Sequence, residues 1–154
     1  MDHKHRAAEL FDSGYNCAQA IAASFSDVTG MTPEMSAKMV SAFGGGMGRM
    51  REVCGAVSGM FFVLSALYGY DSPNPEAQKQ LYTAVQSLAE QFRQEAGSII
   101  CREILKNPPS DPKPTPRTAE FYQKRPCTRM VMLAAVLLDE YISAREAERK
   151  VNNL

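Results

Sequence analysis

Apolar side chains recur at three- and four-residue steps along almost the whole chain, and this period predicts helices. Ala7, Leu10, Tyr15, Ala18, Ile21, Ala22 and Phe25 can share one helical face, broken or bent at Gly14 after Asp12 and Ser13. Thr32-Pro33-Glu34 has the form of a helix start, with a threonine cap and proline in the first helical position. Met35, Met39, Val40 and Phe43 follow as its expected buried stripe. Gly44-Gly45-Gly46-Met47-Gly48 ends that helix in a loop with wide backbone freedom. Val53 to Tyr68 is apolar on nearly all sides, as a central helix surrounded by others would be. Between Glu76 and Glu95, residues Ala77, Leu81, Ala84, Val85, Leu88 and Phe92 again fall on one stripe. A short helix is expected from Ile99 to Leu105.

Residues 107–118 are proline-rich, with Pro108, Pro109, Pro112, Pro114 and Pro116, and can be neither helix nor sheet interior. They read as a loop inside the domain. The last helix should begin near Pro126, turn Met130, Ala134, Leu137, Leu138 and Tyr141 inward, and fade into a polar tail at 146–154. No strand-like alternation of useful length and no internal repeat interrupts the pattern. The expected fold is all-α, a compact array of five or six helices around the central apolar one, forming a single domain over residues 1–154.

Size and charge narrow the function. With 154 residues, 45% of them hydrophobic, the chain can bury one proper core but not two comfortable ones. Lys plus Arg number 17 and Asp plus Glu number 17, so the basic excess of a nucleic-acid or polybasic membrane binder is missing. A net charge of zero is compatible with a homo-oligomer. The polar start Met-Asp-His-Lys-His-Arg lacks a secretory apolar stretch, and Ala56 to Tyr70 is shorter than the roughly 20 residues a bilayer span needs. The expectation is therefore a cytoplasmic protein without membrane insertion. In a reducing compartment lasting disulfides are uncommon, so four cysteines need an explanation.

Those cysteines are Cys17, Cys54, Cys101 and Cys127, separated by 37, 47 and 26 positions, with no CxxC pair. Spacing alone therefore gives little sign of a metal. Their context says more, because each falls at or near an expected helix N-terminus. Cys17 lies close to the Ser13-Gly14 break, Cys54 opens the core helix, Cys101 lies three residues beyond a Ser98 cap, and Cys127 follows Pro126. Exposed N–H groups and the helix dipole favour negative charge there, which lowers thiol pKa values. Thiolates attack disulfides and bind metals.

The run Gly14-Tyr15-Asn16-Cys17-Ala18-Gln19-Ala20, the loop Phe43 to Gly48, the segment Cys54-Gly55-Ala56-Val57-Ser58-Gly59, and then single Cys101 and Cys127 resemble the C_GCAxxG_C_C family of redox-active proteins. The resemblance runs from about Phe11 to Leu138 and makes the four cysteines the family's four. It implies a redox protein, with a membrane transporter system suggested as partner because family genes often lie near transporter genes. A related domain of split-Soret cytochromes implies an iron–sulfur cluster on such cysteines. The chain has no CxxCH segment, so the haem function does not carry over.

Three chemistries follow if the sulfurs converge: an iron–sulfur cluster for electron transfer, zinc as a less favoured metal, or a metal-free thiol–disulfide relay. A non-catalytic helical interaction module stands as a further alternative. Gly44, Gly45, Gly46, Gly48, Gly55 and Gly59 would let backbone approach the site, and Cys54 is the expected leading residue. Arg49 and Arg51 could hold an anion with the N–H groups of the loop, Arg125 and Arg129 could acidify Cys127 or simply be solvated, and Glu52 would oppose a thiolate at Cys54 unless it points away or pairs with Arg49 or Arg51. His3 and His5 read as surface residues. With both histidines terminal, cysteine-hydrolase chemistry has no base.

Overall fold

A computed structural model describes residues 2–153. In chain order the helices are α1 (His3–Asp12), α2 (Cys17–Ser24), α3 (Ser26–Thr29), α4 (Pro33–Met39), a 3-10 turn (Ser41–Phe43), α5 (Gly44–Met47), α6 (Gly55–Tyr68), α7 (Pro75–Ala96), α8 (Cys101–Ile104), α9 (Ala119–Lys124) and α10 (Cys127–Asn152). Among the described residues the only β feature is a single antiparallel bridge between Val53 and Ile100. The fold is all-α. Six helices of seven or more residues build it, and the rest are single turns or short connectors.

Polar side chains set the helix starts. Asn16 accepts from the Gln19 amide while the Gln19 side chain returns a bond to the Asn16 amide, a reciprocal cap that fixes where α2 begins. Thr32, Asn74 and Thr118 cap α4, α7 and α9 in the same one-sided way. Pro33 and Pro75 take the first helical position, where no amide hydrogen is needed.

As expected, α6 lies at the centre. Ala56, Val57, Met60, Val63 and Leu64 have no exposed surface. Helix α2 crosses α6 at Gly59, where a Cβ would come within 2.9 Å of the Ala18 carbonyl oxygen and of Ile21 Cβ. Helices α1, α7 and α10 close the core with Phe11, Leu88, Phe92, Val131 and Leu138. On α7 the expected stripe is the buried one, at Leu81, Ala84, Leu88 and Phe92.

The outward face of α4 differs from expectation. Met35 is 50% and Met39 58% exposed, and Phe43 after them is exposed too, whereas Ser36 and Ala37 turn inward beside Val40, which is buried as expected. The two-turn helix sits close on α2, with Gln19 donating to the Ala37 carbonyl, and only small side chains fit that gap. The C-terminal segment also differs, because α10 continues to Asn152 as helix. Arg145 lies over the Tyr68 ring at 4.5 Å and ties this extension to α6. No helix is long and apolar enough to cross a membrane, among the described residues.

Candidate functional site

The helix starts carry the cysteines as the sequence suggested. Cys17, Cys101 and Cys127 are the first residues of α2, α8 and α10, and Cys54 is the N-cap of α6. The cap at α8 is Ile100 rather than Ser98, and Ser98 Oγ instead accepts from the Ile100 amide and bonds Glu103 at 2.5 Å.

Two local arrangements bring these starts together. The strand-like segment before α6 zips onto the segment before α8, with Cys54 N–H donating to Ile99 O at 2.8 Å, Cys101 N–H to Glu52 O at 2.6 Å, and Arg102 N–H to Arg51 O at 3.1 Å. That pairing sets Cys54 beside Cys101. On the other side Arg117 donates to the carbonyls of Phe11 and Tyr15, each at 2.9 Å, and to the Tyr122 hydroxyl at 3.2 Å. Thr128 and Tyr122 bond Asp12 at 3.2 and 3.1 Å. These contacts bring the loop before α2 against the start of α10, so Cys17 meets Cys127.

Glycines let the two halves approach. A Cβ on Gly55 would lie 3.0 Å from Cys17 Cβ, and one on Gly46 only 2.6 Å from Cys101 Cβ. Gly45, Gly46, Met47, Gly48, Arg49 and Arg51 all have positive φ, between 61° and 75°. The glycine loop is therefore a left-handed turn, in which Met47, Arg49 and Arg51 each hold a conformation that costs a side chain roughly 1–3 kcal/mol. Glu52 N–H to Gly46 O at 2.8 Å closes it over Cys101. Gly44, Gly45, Gly46, Gly48 and Gly55 border the same space as the cysteines, whereas Gly59 serves the α2–α6 crossing instead.

All four cysteines line one cavity of about 340 Å³. None is in a disulfide; Cys54 and Cys101 are buried, Cys17 and Cys127 half-buried. The lining contains Arg49, Arg51, Arg117 and Arg125 and no Asp or Glu. Carboxylates nearby are engaged outside it, Asp111 with Arg49 and Glu52 with Arg102. Glu52 thus points away from the cavity, the first of its two expected alternatives, and pairs with Arg102. Among the described residues no three His, Cys, Asp or Glu side chains are drawn together tightly enough to hold one metal ion. The sulfurs border a space rather than meet at a point.

The expectation that all four thiols are acidic is corrected. Burial pushes Cys54 up to about 12 although the Ala56 and Val57 amides face its sulfur. Burial likewise raises Cys101, against a 3.7 Å hydrogen bond from Arg51 Nη1. Cys17 and Cys127 act on each other in opposite directions. The hydrogen bond to Cys127, with burial behind it, holds Cys17 well above the usual thiol range. The same bond, helped by Arg125, Arg117 and Arg51, outweighs burial at Cys127 and brings it down to about 7. Arg117 was not singled out from the sequence, where it simply follows the last proline of the loop. Arg129 is not among the cations acting on Cys127.

The histidines belong elsewhere. His5 is exposed beside Asp2. His3, expected at the surface, is instead stacked on Phe25 at 4.1 Å and pinned between Asp139, 2.6 Å from Nδ1, and Asp27, 2.9 Å from Nε2.

Residues 15–141 match the family described as "Putative redox-active protein (C_GCAxxG_C_C)", and the chain belongs to that family. No curated protein and no solved structure gives a significant match.

Proposed function

We propose that the protein is a thiol redox protein whose working dithiol is Cys127 with Cys17. The observation that carries this reading is the placement of Cys17 and Cys127, first residues of α2 and α10, on one cavity lined by four arginines and no carboxylate. Near neutral pH a substantial fraction of Cys127 is thiolate, the attacking form, while Cys17 retains its proton. Cys127 makes the first attack on a small disulfide oxidant, and Cys17 then displaces the product by attacking Cys127. Cys54, expected from the sequence to lead, is too weakly acidic for the attacking role and lines the cavity with Cys101 as neutral thiols. The test is to oxidise the reduced, metal-free protein gently and map the thiols by mass. A Cys17–Cys127 disulfide is the expected product, and four free thiols would overturn the reading.

A second reading is electron transfer by an iron–sulfur cluster. It is supported by four soft donors around one cavity that is lined by arginines and no carboxylate, where an anionic cluster would find compensating charge. Cys17, Cys54, Cys101 and Cys127 would hold it, with the sulfurs closing further inward, and the cluster would supply one-electron chemistry. Anaerobic purification with iron and sulfide analysis separates the two readings. Stoichiometric iron and sulfide, lost in Cys54→Ser, would favour the cluster, because the dithiol does not need Cys54. A colourless protein that forms the Cys17–Cys127 bond favours the dithiol.

A further inference from the structure

A chain of zero net charge has gathered four arginines and no carboxylate around one cavity. Three of those guanidinium groups have partners or open surroundings that account for them. Arg49 is tied to Asp111 and Thr115. Arg117 spends its donors on two carbonyls and Tyr122, and Arg125 rests over the Phe121 ring at 5.0 Å.

Arg51 is different. It is only 4% exposed, its Nε donates to Pro109 O at 2.9 Å, and its Nη1 reaches Cys101 Sγ. Its Nη2 is buried with no partner at all. A charged group placed in the interior normally has its donors answered, because leaving one unmet costs the full desolvation penalty. The backbone under Arg51 is itself held at φ 63°, a left-handed conformation, and the residue lines the cavity. An unanswered guanidinium donor, in a cavity with no acid of its own and beside the Cys17–Cys127 pair, is a built receptor for a negative group.

We propose that the cavity is the binding site for a small anionic disulfide, one carrying carboxylates, with an anionic end drawn to the uncompensated Arg51 guanidinium and its S–S bond presented to Cys127. The inference rests on the dithiol reading and names its substrate class. The chemistry balances. The Cys127 thiolate attacks one sulfur of R–S–S–R, forming a mixed disulfide and releasing RS⁻. Cys17 then gives up its proton and attacks Cys127 Sγ, forming the Cys17–Cys127 disulfide and releasing the second RS⁻. Two electrons pass from the protein dithiol to the substrate, which leaves as one thiol carrying the Cys17 proton and one thiolate that takes any further proton from water. A cavity of about 340 Å³ lies at the small end of ligand sites, suited to a compact disulfide.

Three disulfides of similar size and different charge test it: dithiodiglycolate, doubly negative; bis(2-hydroxyethyl) disulfide, neutral; and cystamine, doubly positive. Each oxidises the reduced protein under anaerobic conditions, and the rate is divided by its rate with a free thiol at the same pH. The expected order is anionic over neutral over cationic, with about tenfold or more between first and last. Arg51→Met should flatten the order and Arg51→Lys should retain part of it. Because Arg51 helps pack the loop, Arg125→Gln gives a second reading from the cavity rim and should narrow the range without flattening it. A wild-type protein that forms the Cys17–Cys127 disulfide equally fast with all three probes overturns the anion site and leaves the dithiol standing. Failure to form that bond with any probe overturns the dithiol itself.

Discussion

Replacing Gly46 by alanine isolates what holds the glycine loop over the cysteines. An added Cβ would sit 2.6 Å from Cys101 Cβ, 2.8 Å from Arg51 Cα and 2.9 Å from the Glu52 nitrogen. Two of those atoms are backbone and the third is a short side chain's first carbon, so nothing flexible can move aside. The residue also has φ +75°, which costs alanine about 1–2 kcal/mol before any clash. Overpacking adds about 1–3 kcal/mol, giving a total of roughly 2–5 kcal/mol, a large part of the roughly 5–15 kcal/mol that a domain of this size holds. Gly30 and Gly97 supply the control, since they have φ +78° and +89° and nothing within 4 Å of a built Cβ. Alanine at either should show the backbone strain alone. Urea unfolding followed by circular dichroism gives the three differences, and alkylation of Cys101 reports whether the loop has lifted. If Gly46→Ala loses no more stability than Gly30→Ala, the loop does not lie on Cys101 and the cavity described above is wrongly built.

Alkylation of Cys127 by iodoacetamide should titrate with a midpoint near 7, and the midpoint should rise in Cys17→Ala because the shared hydrogen bond is gone; peptide mapping against pH checks both. Arg117→Met removes hydrogen bonds to Phe11, Tyr15 and Tyr122 and a guanidinium 4.4 Å from the centre of the Phe11 ring. It should cost roughly 2–4 kcal/mol of stability in urea and also raise the Cys127 midpoint. His3 latches α1 to α10 and α3. Burial opposes its charge, but the hydrogen bonds it donates to Asp27 and Asp139 prevail and raise its pKa. The imidazole is thus more basic folded than unfolded, so its contribution is full below the unfolded value near 6.5 and fades as pH rises through the raised one. The stability gap between wild type and His3→Gln should be larger at pH 5.5 than at pH 9, and a gap independent of pH would refute the latch.

The helical period reported the fold well because its strongest stripes serve the core directly. Leu81, Ala84, Leu88 and Phe92 recur at three- and four-residue steps and are the buried residues of α7. It failed on α4 for Met35 and Met39, though not for Val40 after it, because only the closeness of α2 decides that Ser36 and Ala37 turn inward instead. The helix starts at the four cysteines were legible from breaks such as Ser13-Gly14 and Pro126, although the Asn16 cap went unread and α8 is capped by Ile100 rather than Ser98. Their convergence rests on contacts between residues distant in sequence, Cys54 with Ile99 and Arg117 with Phe11, which no local pattern encodes. The left-handed turn was half visible. Its glycines announced freedom, but Met47, Arg49 and Arg51 at positive φ cannot be read from side chains that usually avoid it.

Four cysteines in the same local setting end up chemically unequal, and the magnitudes say why. A helix N-terminus favours a nearby negative charge by typically 0.3–1 kcal/mol and by about 2 kcal/mol at best. At Cys54 the move from 9.0 to about 12 corresponds to about 4 kcal/mol at 1.36 kcal/mol per unit, so burial overrides the dipole. Only Cys127 has both a neighbouring thiol that lowers it through a hydrogen bond and three guanidinium groups within range, and only there does the balance reverse. The result is a dithiol in which one partner ionises and the other does not. Reducing its disulfide should therefore take up two protons below about pH 7 and one above it, so the dependence of its potential on pH should halve across that point. Equilibration against a thiol–disulfide buffer from pH 5.5 to 9 would show the break. A single unbroken slope would mean that Cys127 and Cys17 keep or lose their protons together, and that the arginines around them serve some purpose other than holding a thiolate.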